Sequence, residues 1–121
     1  MAKSILLVED DLDIQRIYSE KLKGKGYEVV LAVDAEQGFQ SAKEGKFNLI
    51  LLDIMLPGKM NGFELLEILK KDDKLKKIPV VVLTNLDTEK QQALKVGAND
   101  YLVKANLSLD DVARKVEENI S

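Results

Sequence analysis

The chain has 121 residues, enough for one compact domain and too few for two, and at 45% hydrophobic it can build an ordinary core. Lys and Arg total 18 against 21 Asp and Glu, a formal charge of -3, which argues against the basic face that electrostatic nucleic-acid binding needs. With no Cys and no His, disulfides, thiolate nucleophiles, imidazole bases and His or Cys metal ligands are excluded, so any chemistry must come from carboxylates, hydroxyls and lysines.

In chain order, the first apolar run is Ile5 to Val8, which reads as a strand. Glu9, Asp10 and Asp11 cut it short, so it makes neither a signal peptide nor a membrane span; a soluble, cytoplasmic protein is expected. A helix follows, with Ile14, Ile17 and Leu22 on one face, Asp11 or Asp13 as its cap, and Gly24 and Gly26 where it should stop. Val29 to Ala32 is the second strand. Asp34 paired with Gln37 opens the second helix, and Gly45 falls at its end. The third strand is Leu49 to Leu52, and Asn61 with Glu64 opens the next helix. The lysines at 70, 71, 74, 76 and 77 are interleaved with Asp72 and Asp73, as in a solvated helix end and loop. Val80 to Leu83 is the fourth strand, Thr88 with Gln91 makes the fullest capping-box match, and Gly97 marks a helix end. Tyr101 to Val103 is the fifth strand, and Ser108 precedes Asp110 and Asp111, which place negative charge at the positive end of the last helix.

Ten alternating elements predict a parallel sheet with helices on both faces, and the uninterrupted apolar runs fit strands covered from both sides. This length favours an open sheet over an eight-fold barrel, which takes about 250 residues. Residues 1–121 are expected to form a single domain, with no output domain following.

Parallel strands bring their C-terminal ends to one edge, where open α/β sheets bind ligands. That edge collects Glu9 and Asp10 after the first strand, Asp53 after the third, Thr84 after the fourth and Lys104 after the fifth, with Asp11 beside them. Taken singly, each has an ordinary structural explanation as a cap, a β-branched strand residue or a surface lysine. Asp53 does not: it follows four consecutive apolar residues in the central strand, next to a second acidic strand end. Carboxylates so placed raise each other's pKa and cost stability unless a cation joins them. Mg²⁺ suits an all-oxygen set. These parts fit phosphoryl transfer onto Asp53, with the metal, Thr84 and Lys104 binding the phosphoryl oxygens. A carboxylate is already ionised at neutral pH, so the lack of His removes nothing except an internal phosphodonor.

Over essentially its whole length the chain resembles the receiver domain of two-component response regulators. The resemblance is carried by Glu9-Asp10 after Ile5-Leu6-Leu7-Val8, by Asp53 within Leu51-Leu52-Asp53-Ile54-Met55-Leu56-Pro57-Gly58, and by Asn61-Gly62. It continues in Pro79-Val80-Val81-Val82-Leu83-Thr84, Gly97-Ala98, Asp100-Tyr101 and Lys104. It implies a flavodoxin-like, doubly wound (βα)5 fold with strand order 2-1-3-4-5. It also implies Asp53 as phosphoacceptor, and Mg²⁺ held by Glu9 (through water), Asp10, Asp53 and the backbone carbonyl of Met55. Thr84 and Lys104 would contact the phosphoryl oxygens, and Thr84 and Tyr101 would form the switch.

Four features depart from the family pattern. Ala105 follows Lys104 where Pro is usual, so a trans peptide is the default. The loop from Pro57 to Gly62 is one residue longer, with Lys59 as the insertion. Asn85 stands where a small residue is common, and narrows access or supplies a further hydrogen bond. Met55 and Leu86 are apolar where some relatives carry groups that orient hydrolytic water, which predicts a comparatively long-lived aspartyl phosphate.

The expected function is a non-enzymatic, phosphorylation-dependent switch of a phosphorelay. Its donor would be a histidine kinase or histidine phosphotransfer protein. Its output would be altered contact with a downstream protein, with no direct nucleic-acid or membrane partner. A phosphorylation-independent scaffold is the alternative. An aspartate-nucleophile phosphatase fits less well because Met55 stands where its acid/base Asp belongs, and a flavodoxin because Glu9-Asp10-Asp11-Leu12-Asp13 would repel phosphate.

Overall fold

In a computed structural model describing residues 2–121, five strands and five helices alternate along the chain. The strands are β1 (Ser4–Val8), β2 (Glu28–Ala32), β3 (Leu49–Leu52), β4 (Val80–Thr84) and β5 (Asp100–Val103). The helices are α1 (Leu12–Gly24), α2 (Ala35–Glu44), α3 (Gly62–Lys71), α4 (Lys90–Val96) and α5 (Leu109–Asn119). The sheet is parallel throughout, in the order β2-β1-β3-β4-β5, as the resemblance implied.

Apolar runs without alternation work in β1, β3 and β4 because successive strand side chains point to opposite faces and both faces are covered; the edge strand β2 departs from the expectation, with Val30 and Leu31 both exposed. Ile5 and Leu7, Leu49 and Leu51, and Val81 and Leu83 form one core with Tyr18 and Leu22 of α1 and Val112 and Val116 of α5. Leu6 and Val8, Ile50 and Leu52, and Val80 and Val82 form the other, with residues of α2, α3 and α4. Leu52 is the last fully covered residue of β3 before Asp53, so the acid emerges at the sheet edge with its backbone still tied to β1 through Asp53 N–H to Val8 O at 3.0 Å.

Helix starts follow the sequence with two corrections. Asp11 caps α1, accepting from the amides of Asp13 and Ile14, and Asn61 with Glu64 and Ser108 with Asp111 form complete capping boxes. Asp34 caps α2, but Gln37 returns its bond to the amide of Val33 rather than to that of Asp34. The expected box of Thr88 with Gln91 does not form. Helix α4 begins at Lys90 and Glu89 holds the cap position without a side-chain cap bond, so Thr88 lies outside the helix. Nor does Ile17 join Ile14 and Leu22 in the core. It sits a wide angle from Leu22 around the helix and is exposed, while Gln15, Tyr18 and Ser19 take the inner face.

The lysine-rich stretch is not uniformly solvated. Lys70 donates to the carbonyl of Ile78 at 2.9 Å and to Asn99 Oδ1 at 3.1 Å, fastening the end of α3 to the loops that lead into β4 and β5. Partial burial holds its ammonium below the ordinary lysine pKa. Gly97, at the end of α4, has φ +127° and its bare Cα faces the Lys70 stem, so both its conformation and its lack of a side chain are used.

Candidate functional site

The site begins with strand ends held in place by backbone and side-chain amides. Glu9 N–H donates to Ala32 O at 3.0 Å, and the buried Gln15 side chain donates to both Glu9 O and Ala32 O at 3.1 Å. Gln15 therefore clamps the ends of β1 and β2 from α1. Its only signal in the sequence is a polar residue at a helical core position. Gly62 approaches from the other side, its N–H donating to Ile54 O at 3.2 Å, with α3 starting against the Asp53–Ile54 backbone.

Glu9 is 2% exposed, Asp53 7% and Thr84 0%, whereas Asp10 faces solvent. One carboxylate oxygen from each of Glu9, Asp10 and Asp53 lies within 4.8 Å of the others. At that separation each ionised pair repels by on the order of 3 kcal/mol at an effective dielectric of about 20. Asp11 does not join this cluster: its carboxylate is spent on the α1 cap, and its amide donates to Glu9 Oε2 at 3.1 Å.

Lys104 reaches in from the end of β5. Its ammonium donates to Asp53 Oδ2 at 2.9 Å and to Glu9 Oε1, with all three side chains less than 10% exposed. Burial raises the pKa of the Glu9 carboxyl, and the hydrogen bonds from Lys104 and the Asp11 amide only partly oppose it. Burial also pulls the Lys104 ammonium down, but hydrogen bonds to Glu9 and Asp53 outweigh it and leave its pKa above the usual lysine value. Three carboxylates face one ammonium, so the site carries more acidic groups than basic ones. An all-oxygen set with that excess fits a hard divalent cation.

Asp53 Oδ1 accepts from Met55 N–H at 2.9 Å, which brings the Met55 backbone beside the acid while its side chain points outward. Thr84 Oγ1 accepts from Leu86 N–H at 3.3 Å, and the Tyr101 hydroxyl donates to Leu86 O. Tyr101 is buried although β5 is an edge strand. Asn85 uses its side chain as the sequence allowed: Oδ1 accepts from Ala105 N–H at 3.1 Å. The Lys104–Ala105 peptide is trans, and Lys104–Asn106 forms a short 3₁₀ turn.

Residues 5–117 match the family model described as the response regulator receiver domain. The phosphate regulon transcriptional regulatory protein PhoB of Pseudomonas aeruginosa is 39% identical over 116 residues, covering 94% of this chain and 50% of that protein. A CheY-like response regulator receiver domain protein from Methanospirillum hungatei superposes with a TM-score of 0.88 at 33% identity, covering 98% of this chain and 93% of the other. The response regulator TrrA of Thermotoga maritima, solved in complex with Mg²⁺ and BeF, gives 0.86 at 29% identity, covering 96% and 97%. The chain spans about half the length of the curated relatives it matches.

Proposed function

The chain belongs to the response regulator receiver domain family, and from that membership we propose a phosphorylation-dependent switch in which Asp53 is the phosphoacceptor. The observation that carries this reading is the buried carboxylate of Asp53 at a strand end, 2.9 Å from the Lys104 ammonium and within 4.8 Å of Glu9 and Asp10. Receiver domains take their phosphoryl group from histidine kinases, and the same class of donor, or a histidine phosphotransfer protein, is proposed here.

An oxygen of Asp53 attacks phosphorus as the bond to the donor breaks, and the electron pair of that bond leaves with the donor nitrogen, or with the carboxylate of acetyl phosphate. Glu9, Asp10, Asp53 and the Met55 carbonyl would hold Mg²⁺, which supplies positive charge to the transferring oxygens when bound. TrrA binds Mg²⁺ with BeF, and the oxygen-only donor set here supports the same ion. Lys104 neutralises a further oxygen. The Thr84 hydroxyl can donate its own proton to a phosphoryl oxygen while still accepting from Leu86 N–H.

Output follows from the bonds of Leu86. Its amide is tied to Thr84 and its carbonyl to Tyr101, so a shift of Thr84 toward the phosphoryl group draws on the segment that holds the Tyr101 ring. The resulting change on the face of α4, β5 and α5 would be read by a protein partner, which makes the domain a switch rather than an enzyme that turns over an external substrate. Among the described residues no helix is long and apolar enough to cross a membrane; a cytoplasmic role is proposed from the family membership. The curated relatives named transcriptional regulators are about twice as long, and contact with nucleic acid is not proposed for the residues described here. Incubation with acetyl phosphate and Mg²⁺ followed by intact mass tests the reading; an adduct that persists in Asp53→Ala would overturn it.

A further inference from the structure

Beyond the last ladder pair of β4 and β5, Thr84 with Val103, the two chains would part with no further backbone bond between these strands. The Asn85 side chain carries the connection one step past the sheet, its Oδ1 accepting from Ala105 N–H at 3.1 Å. Ala105 sits inside the three-residue turn Lys104–Asn106, whose cap position is Val103, a residue with no side-chain oxygen to offer. An amide at the start of such a turn has no partner within the turn. Asn85 supplies one from the residue that follows β4, while its own side chain is otherwise exposed.

We propose that Asn85 is a positioning residue for phosphoryl transfer: it caps the turn that carries Lys104 and fastens it to the strand end that carries Thr84. Lys104 is then fixed at both ends, its ammonium by Glu9 and Asp53 and its backbone by Asn85. The two side chains assigned to the phosphoryl oxygens are each one residue from this bond, so it sets the distance between them. Asn85 acts through Lys104 and Thr84, with none of its hydrogen bonds reaching the carboxylates. This inference rests on the phosphoacceptor reading of Asp53.

The test is a double-mutant cycle on the rate of phosphoryl uptake from acetyl phosphate, with Mg²⁺ affinity and hydrogen exchange at the Ala105 amide measured alongside. Asn85→Ala should slow uptake about three- to tenfold, the worth of one ordinary hydrogen bond, and speed exchange at Ala105, with Mg²⁺ affinity unchanged. Ala105→Pro removes the donor, and in that background Asn85→Ala should have no further effect on uptake. Asn85→Asp keeps the acceptor oxygen and should keep Ala105 protected whether or not the proline variant folds. Unchanged uptake in Asn85→Ala, or the same slowing in both backgrounds, overturns the proposal while leaving Asp53 as acceptor. Failure of the wild type to take up phosphate overturns the reading of Asp53 itself, and this inference with it.

Discussion

A Cβ placed on Gly62 would stand 2.3 Å from the Cα of Ile54, and 2.5 Å from the carbonyl oxygen of Asp53. Both contacts are with backbone, which cannot swing aside as a side chain tip would. The first residue of α3 therefore packs directly on the backbone that presents Asp53, the proposed phosphoacceptor. Gly62→Ala should cost about 1–3 kcal/mol through overpacking and displace Asp53. Urea unfolding reads the first effect and phosphoryl uptake the second; a variant as stable as the parent would show that the contact relaxes without consequence.

Lys104 is the cation that compensates Glu9 and Asp53 in the described structure. Removing one partner of a buried ion pair typically costs about 3–5 kcal/mol. Lys104→Met should destabilise the domain on that scale without Mg²⁺, and regain more stability than the parent when Mg²⁺ is added. Thermal unfolding with and without the ion checks this. Equal Mg²⁺ stabilisation of parent and variant would count against the charge balance proposed for the site.

The Asp111 carboxyl is held down at about 2, first by the hydrogen bond from the Ser108 amide and then by Arg114. A carboxyl depressed in the folded state contributes stability that is present above its unfolded value and fades as pH falls toward the folded one. The stability gap between the parent and Asp111→Ala should thus be constant above about pH 5 and shrink between about pH 4 and 2. Denaturant midpoints across that range test it, and a gap that widens on acidification would contradict the cap geometry.

Met55 and Leu86 offer no polar group to hold a water in line with the phosphoryl bond, and Leu86 is packed against the core. Met55→Asn and Leu86→Glu should each shorten the life of the aspartyl phosphate, because a positioned hydrogen-bonding group assists water attack. Decay followed by intact mass is the readout. Unchanged or slower decay in both variants would remove these positions from the account of its lifetime.

Element types and the two-sided sheet were legible because runs such as Leu49 to Leu52 and Val80 to Leu83 leave no polar face to turn outward. Asp53 was legible because charge at the end of such a run is hard to explain otherwise, and Glu9 and Lys104 because parallel strands bring their ends to the same edge. What failed was local competition. Thr88 carries a capping pattern, yet α4 starts after it, and Ile17 is apolar, yet the α1 face that meets the sheet is taken by Gln15 and Tyr18. Gln15 and Lys70 were missed because their roles depend on carbonyls from distant strands and loops, and a single sequence does not say which carbonyls lie within reach. The sequence leaves Asn85 either narrowing access or supplying a hydrogen bond; only the fold supplies Ala105 as the donor.

The most direct measurement is the intact mass of the protein after acetyl phosphate and Mg²⁺, with the modified residue mapped by reductive trapping of the acyl phosphate. The account predicts a single phosphoryl adduct on Asp53 that is abolished by Asp53→Ala and by chelation of the metal. No adduct on the wild type, or an adduct that maps elsewhere or survives in Asp53→Ala, would contradict it.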